Sequence, residues 1–185
     1  MAKTVVVYHS GYGHTQRVAQ FVAEGAGAQL IPIDAEGNLT DAQWADVDAA
    51  DAIIMGSPTY MGMASWQFKK FADASSKKWF TSAWKDKVAG GFTCSASPSG
   101  DKLSTLQYFI TLAMQQGMIW VGTGMMPGNN NSKGSIEDLN RLGSATGLMS
   151  QANADQGVEG IAASDFKTAE AFGARVAQFA VKNAA

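Results

Sequence analysis

At 185 residues, with 46% hydrophobic and 16% charged side chains, the chain has the size and composition of one globular domain with a sizeable core. A formal net charge of −2 leaves no electrostatic footprint for nucleic acid, and one cysteine, Cys94, rules out an internal disulfide framework. No apolar run approaches the length of a membrane span, and the chain leads straight into a strand-like run, so neither a signal peptide nor a membrane partner is expected. A cytoplasmic location is the expectation.

Val5, Val6 and Val7 form a β-branched run suited to a strand buried on both faces, the central strand of a parallel sheet. Ser10, Gly11, Gly13 and Thr15 follow, small and hydroxylated, and then a helical pattern with Val18, Val22 and Ala26 on one face and Phe21 beside them. A strand, a tight small-residue loop and a helix N-terminus make an anion site: N–H groups converge, hydroxyls add donors, and the helix dipole favours negative charge. No Gly-Lys-Ser/Thr completes a Walker motif, and the glycine spacing does not match G-x-G-x-x-G. With no Lys or Arg in the loop, the expected ligand is a single phosphate held by amides and hydroxyls. For this string alone, a plain strand-to-helix turn stays open. His9 and His14 lack the Cys or Glu pattern of a zinc site, and no metal is expected.

Further along, Leu30 to Ile33 read as a second strand near an edge, because Pro32 cannot donate to a central ladder. Residues 40–48 read as a short helix capped by Thr40, with Trp44 and Val47 inward. Ala52 to Gly56 form a third strand, Ser57 to Ala64 a loop, and Ser65 caps a helix with Trp66, Phe68, Phe71 and Ala72 as its apolar contacts. Val88 to Cys94 make a fourth strand, loosened by Gly90 and Gly91, followed by a loop from Ser95 to Asp101. The next helix, 102–116, places Leu103, Leu106, Phe109, Ile110 and Ala113 inward, and Met118 to Val121 form a fifth strand. A final helix from Ser164 to Lys182 shows Phe166, Ala169, Phe172, Val176 and Phe179 at helical spacing. There is no internal repeat and no linker, so residues 1–185 are read as one domain.

Strict alternation of strand and helix implies an α/β fold with a doubly wound parallel sheet. Five strands fit the flavodoxin-like order 2-1-3-4-5, whose ligands sit beyond the strand C-termini near the switch point between the first and third strands. The loops at 9–15, 57–64 and 94–101 meet at that edge, and their convergence favours a phosphate site over a plain turn.

Ser10-Gly-Tyr-Gly-His-Thr15, Gly56-Ser-Pro-Thr-Tyr-Met-Gly62 and the Thr/Ser-rich third loop resemble the flavodoxin-like FMN proteins, and within them the WrbA-type NAD(P)H:quinone oxidoreductases. Trp79 and Gly117-Met118 fall where that family has matching residues, so the resemblance spans nearly the whole chain. It implies FMN phosphate at Ser10, Gly11, Tyr12, Gly13, His14 and Thr15, with the ring against Pro58, Thr59, Tyr60, Met61 and Gly62 and against Cys94, Ser95, Ala96, Ser97, Pro98 and Ser99. It further implies NADH or NADPH as co-substrate, a quinone or similar acceptor, and no catalytic side chain, since the flavin carries the chemistry. The rival within the resemblance is a flavodoxin-type electron carrier. Trp79 is a candidate for the substrate mouth, or simply covers a sheet edge. Gln115 is the other, standing in the Met114-Gln115-Gln116 stretch where the family carries a pocket histidine.

Three departures are visible. The third loop is poorer in glycine than the family's, the pocket histidine is replaced, and the segment between the second and third strands is shorter. Cys94 reads as a packing residue rather than a redox nucleophile. In the resembling proteins an insertion interrupts the last strand; here residues 122–146 would be that insertion and Thr146 to Met149 the strand's resumption. The insertion is read as a lid or subunit contact against the alternative of a solvated excursion. With Trp79 and the Trp84 region it would offer apolar surface for a homo-oligomer, dimer or tetramer.

Overall fold

Val5, Val6 and Val7 are fully buried because the strand they form, β1 (Thr4–Tyr8), is covered by helices on both faces. In this computed structural model, which describes residues 2–184, β1 pairs in parallel with β2 (Gln29–Pro32) and with β3 (Ala52–Tyr60). β3 doubles back in a hairpin with β4 (Met63–Ala64) and also pairs in parallel with β5 (Val88–Ser95). Two short strands, β6 (Ile119–Trp120) and β7 (Leu148–Gln151), share the far side of β5. The order β2-β1-β3-β5-β6 is the expected 2-1-3-4-5 arrangement with the hairpin strand set aside. β6 pairs with Val88 and Ala89 and β7 with Phe92 to Ser95, so the outer strand is broken in two around an insertion. The strand resumes two residues later than the sequence reading placed it.

The helices are α1 (His14–Ala26), α2 (Asp41–Asp48), α3 (Trp66–Ala74), α4 (Ser76–Phe80), α5 (Lys102–Gln115) and α6 (Ala163–Asn183). Strand alternation divides the core between two faces. Val6, Tyr8, Ile54 and Phe92 pack with Val18, Val22, Phe172 and Val176 of α1 and α6. Val5, Val7, Ile53 and Met55 pack with Val47, Phe68, Phe71 and Phe109 of α2, α3 and α5. α1 and α6 meet backbone to backbone: a Cβ on Gly173 would lie 2.1 Å from the Val22 carbonyl oxygen, and one on Gly25 2.0 Å from that of Glu170. This close approach fixes α1, whose N-terminus opens the candidate site. Thr40 caps α2 as expected, in a reciprocal box with Gln43.

Several expectations change on the structure. Residues 57–60 are strand rather than loop: β3 runs on past the end of β1, pairing Ser57 and Pro58 with Thr93 and Cys94. It then turns through Met61 and Gly62, at φ 47° and 81°, the conformation of a two-residue hairpin turn. Gly90 and Gly91 do not loosen β5. They make room, since a Cβ on Gly91 would lie 2.7 Å from Phe109 and one on Gly90 2.9 Å from Val176. Trp66 and Leu103 face solvent instead of the core, and the buried stripe of α5 starts one residue earlier, on Lys102. Trp84 is buried rather than part of an exposed surface; its Nε1 donates to Asp48 Oδ1 at 2.9 Å and its ring clusters with those of Phe71 and Trp44. α4 is too short to leave a periodic signature in sequence.

The insertion lacks regular structure yet is tied down along its length. Trp120 Nε1 donates to the Thr146 carbonyl at 2.7 Å, Arg175 Nε to the Gly122 carbonyl at 3.1 Å, and Ser164 Oγ to the Ile136 carbonyl at 2.6 Å. Asn140 is buried and donates from its side chain to the Ser144 carbonyl at 3.1 Å. Arg141 forms a buried bidentate pair with Asp165 of α6, at 2.7 and 2.9 Å. A plain solvated excursion would show none of this.

Candidate functional site

The first loop closes around one hydroxyl. Ser10 Oγ accepts from the N–H groups of Gly13 and Gln16, both at 3.1 Å, which curls residues 10–16 into a cradle. Gly13 stands at φ 91° as the N-cap of α1 and brings no capping side chain, so the helix end is left open. The N–H groups of Tyr12, His14 and Thr15 make no hydrogen bond among the described residues. Thr15 is buried and lines the same space. Arg17 is turned away onto Gln20 and the Phe21 ring, so its guanidinium does not reach the cradle.

Beside the cradle lies a cleft of about 560 Å³ at the C-terminal edge of the sheet. Ser10, Tyr12, His14 and Thr15 form one end, Pro58, Thr59 and Tyr60 one wall, and Cys94, Ser95 and Ala96 another. Tyr60 packs over Gly11, where a Cβ would meet its phenol oxygen at 2.6 Å, and meets Tyr12 edge-on with ring centroids 6.1 Å apart. Burial pushes the Tyr60 phenol up, against a smaller opposing pull from the Gly11 N–H. Met61 and Gly62 form the turn beyond this wall, with Met61 projecting fully into solvent.

Buried hydroxyls hold the walls in place. Thr59 Oγ1 lies 2.8 Å from both Thr93 Oγ1 and Thr105 Oγ1, joining β3, β5 and α5 at one point. Ser65 caps α3 and sits 2.8 Å from Nδ1 of His9, tying α3 to the end of β1. Burial lowers the His9 pKa, which keeps the ring neutral and structural. Burial likewise raises the Cys94 thiol, with Ser150 opposing, so Cys94 stands as a protonated packing residue and not as a nucleophile.

Past Ala96 the third loop leaves the cleft. The carbonyls of Ser97 and Pro98 turn inward onto the Lys102 ammonium at 2.6 and 3.3 Å. Pro98 and Ser99 line a separate groove with Leu103, Gln107 and Leu142. Of the six third-loop positions expected at the ring, Cys94, Ser95 and Ala96 therefore face the cleft, and Ser97, Pro98 and Ser99 do not.

A fourth segment, which the sequence pattern does not predict, joins the cleft. Ala152, Ala154 and Gln156, just after β7, also line the cleft, whereas none of residues 122–146 does. A hydrogen-bonded chain carries this segment across. Gln151 Nε2 donates to the Ala96 carbonyl at 2.9 Å and to Asn153 Oδ1 at 3.0 Å, and Asn153 Nδ2 donates to Gln156 Oε1 at 2.7 Å. His14 Nε2 then donates to the Gln156 carbonyl at 2.9 Å. The available signal was positional: a small-residue run following a strand's C-terminus at the same edge as the other three loops.

Trp79 and Gln115 lie elsewhere. α3 descends from the C-terminal end of β3, so α4 and Trp79 stand at the opposite edge, where β5 begins. Gln115 ends α5 at that same edge, its neighbour Gln116 donating to the Ser75 carbonyl at 3.2 Å. Both are exposed, and neither reaches the cleft of its own chain.

Comparison with known proteins agrees with this geometry. Residues 8–131 match the family model described as NADPH-dependent FMN reductase. The chain is 52% identical over 178 residues to a Pseudomonas aeruginosa protein named flavodoxin FldP, covering 96% of both. It is 32% identical over 201 residues, 98% of both, to an NAD(P)H dehydrogenase (quinone) of Gluconacetobacter diazotrophicus. A crystal structure of a flavodoxin, WrbA-like protein from Agrobacterium tumefaciens superposes with a TM-score of 0.82 at 52% identity, covering 99% of each chain. A sheet of this order, four segments meeting at its C-terminal edge, and a family match across more than half the chain make this protein a member of the flavodoxin-like NADPH-dependent FMN reductase family.

Proposed function

We propose that the cleft binds FMN and that the protein is an oxidoreductase passing electrons from NADH or NADPH to a quinone-like acceptor. The donor set fits the cofactor. Three free N–H groups, the Ser10 and Thr15 hydroxyls and the open N-terminus of α1 suit one phosphate without a basic clamp. Pro58, Thr59 and Tyr60 on β3 and, beside them on β5 and the loop after it, Cys94, Ser95 and Ala96 line the space a flat ring would take. Ser97, Pro98 and Ser99 shape the loop from behind. When bound, FMN supplies two-electron chemistry between a hydride donor and an acceptor; the protein orients the ring, excludes water and leaves one face accessible.

The observation that carries this reading is the absence of any aromatic side chain in the wall formed by Cys94, Ser95, Ala96, Ala152 and Ala154. A ring sandwiched between aromatics has no free face, whereas small residues leave space for a nicotinamide and then a quinone. The second reading, an electron carrier, is favoured by the flavodoxin name of the 52%-identical relative, although a net charge of −2 gives little steering toward a redox partner. Purified protein is expected to be yellow, to release FMN on denaturation, and to oxidise NADH or NADPH with benzoquinone present. If neither nucleotide reduces the flavin, and chemical reduction halts at a stable one-electron stage, the carrier reading replaces it.

The same cleft bears on assembly. Tyr12 is exposed at its mouth and Met61 on the turn beyond it, Met63 and Trp66 are exposed in a separate groove, and Trp79 and Phe80 are exposed at the far edge. Apolar surface of this extent favours a homo-oligomer, dimer or tetramer, in which a neighbouring chain closes the mouth. Light scattering of FMN-loaded protein at micromolar concentration is expected to give a multiple of 19.5 kDa. A strict monomer with full quinone reductase activity would show that one chain completes the site.

A further inference from the structure

Lys102 is the one lysine among the largest fully buried side chains, at the start of α5 where a hydrophobic residue would normally sit. No carboxylate among the described residues lies within 4.0 Å of it; Asp165, the nearby acid, is engaged by Arg141. Its ammonium is held by the carbonyls of Ser97 and Pro98 alone. Those residues follow directly on Ala96, which lines the cleft, so a buried and unpaired positive charge stands behind the third-loop wall. Cys94, on the same wall, feels that charge, and burial brings the Lys102 pKa down to about 8.

Holding an unpaired cation inside a protein is costly, and a methionine of similar length would fill the same space without that cost. A purely structural role therefore explains the position poorly. Transfer of a hydride from NAD(P)H gives the bound ring two electrons and one proton, releases NAD(P)⁺, and leaves the ring with one more negative charge. A fixed cation in a medium of low dielectric constant stabilises that charge over several ångströms with little screening.

We propose that Lys102 sets the redox poise of the site: its charge makes the cleft bind reduced FMN in preference to oxidised FMN, driving two-electron transfer from the nicotinamide. This rests on the FMN reading above. Lys102 does not touch the reacting atoms; it acts through its field and through the loop it holds.

The test compares wild type with Lys102→Met, Lys102→Gln and Lys102→Arg, each reconstituted with FMN. Midpoint potentials come from equilibrium dye titration, and dissociation constants for oxidised FMN from fluorescence quenching. Met keeps the shape, Gln keeps a donor for the two carbonyls, and Arg keeps the charge. The expected result is a fall of about tenfold in the preference for reduced over oxidised FMN in Met and Gln, about 30 mV for a two-electron couple, with Arg close to wild type. A loosened loop alone would weaken both redox states together and leave the potential in place. Unchanged potentials in FMN-loaded Met and Gln variants would overturn the proposal while leaving the FMN reading intact. Failure of the wild-type protein to take up FMN would overturn both.

Discussion

Arg141→Met is expected to lower the free energy of unfolding by about 3–5 kcal/mol, the usual cost of stranding one partner of a buried ion pair. The pair is almost solvent-free, with side-chain exposures of 8% for Arg141 and 2% for Asp165. Asp165 accepts from Arg141 Nε at 2.7 Å, Arg141 Nη2 at 2.9 Å and the Gln151 N–H at 2.9 Å. Three pieces of chain thus converge on one carboxylate: the insertion, β7 and α6. Without Arg141, only a single neutral donor faces the buried charge. Replacing both partners, as in Arg141→Met with Asp165→Leu, is expected to recover most of the loss, because no charge is then left unpaired. Urea denaturation followed by far-ultraviolet circular dichroism measures both variants. A loss below about 1 kcal/mol in the single variant, typical of a surface pair, would show that this contact does not brace the fold.

Ser10→Ala is expected to weaken FMN binding by about 10- to 100-fold while leaving the stability of the FMN-free protein nearly unchanged. The hydroxyl accepts from the Gly13 and Gln16 N–H groups and so shapes the cradle, and its own proton is free to reach a phosphate oxygen. A hydrogen bond to a charged group contributes about 1.5–3 kcal/mol, and each 1.4 kcal/mol is tenfold in affinity. Ser10 is only half-buried, so little of that energy is spent on folding. Fluorescence titration of FMN gives the affinity and thermal denaturation the stability. Equal affinity for both proteins would remove the phosphate from residues 10–15.

Much of this architecture was readable from residue pattern. The β-branched run at Val5 to Val7, the glycine and hydroxyl loop after it, and the alternation of strands and helices specify the sheet order and the edge at which ligand-binding loops gather. What escaped had physical causes. β3 ends early in the residue pattern because Ser57 and Pro58 resemble loop residues, yet both stay in register with Thr93 and Cys94 of β5. On α5, Leu106, Phe109 and Ala113 are buried as expected, but at the start of the helix Lys102 and not Leu103 takes the interior position, which nothing local announces. The resemblance implies ring contacts along all of Cys94 to Ser99, but Lys102 holds the carbonyls of Ser97 and Pro98 away from the cleft. Ala152 to Gln156 leave no mark in the sequence because their place at the cleft comes from spatial convergence across a broken strand, which no local pattern encodes. Trp79 and Gln115 rested on resemblance alone, and within one chain the fold carries them to the far edge.

The broken outer strand has a consequence for colloidal behaviour. A long, regular sheet edge is a template on which another chain's strand can dock, the first step toward fibrillar aggregation. Here the edge beyond β5 consists of one two-residue piece and one four-residue piece, separated by the braced insertion, so neither offers a ladder long enough to recruit a partner. The opposite edge is equally blunted, for β2 spans four residues and ends in Pro32, which has no N–H to give. The same break that brings Ala152 to Gln156 over the cleft thus also protects the protein from its own sheet at the high concentrations of a crowded cell.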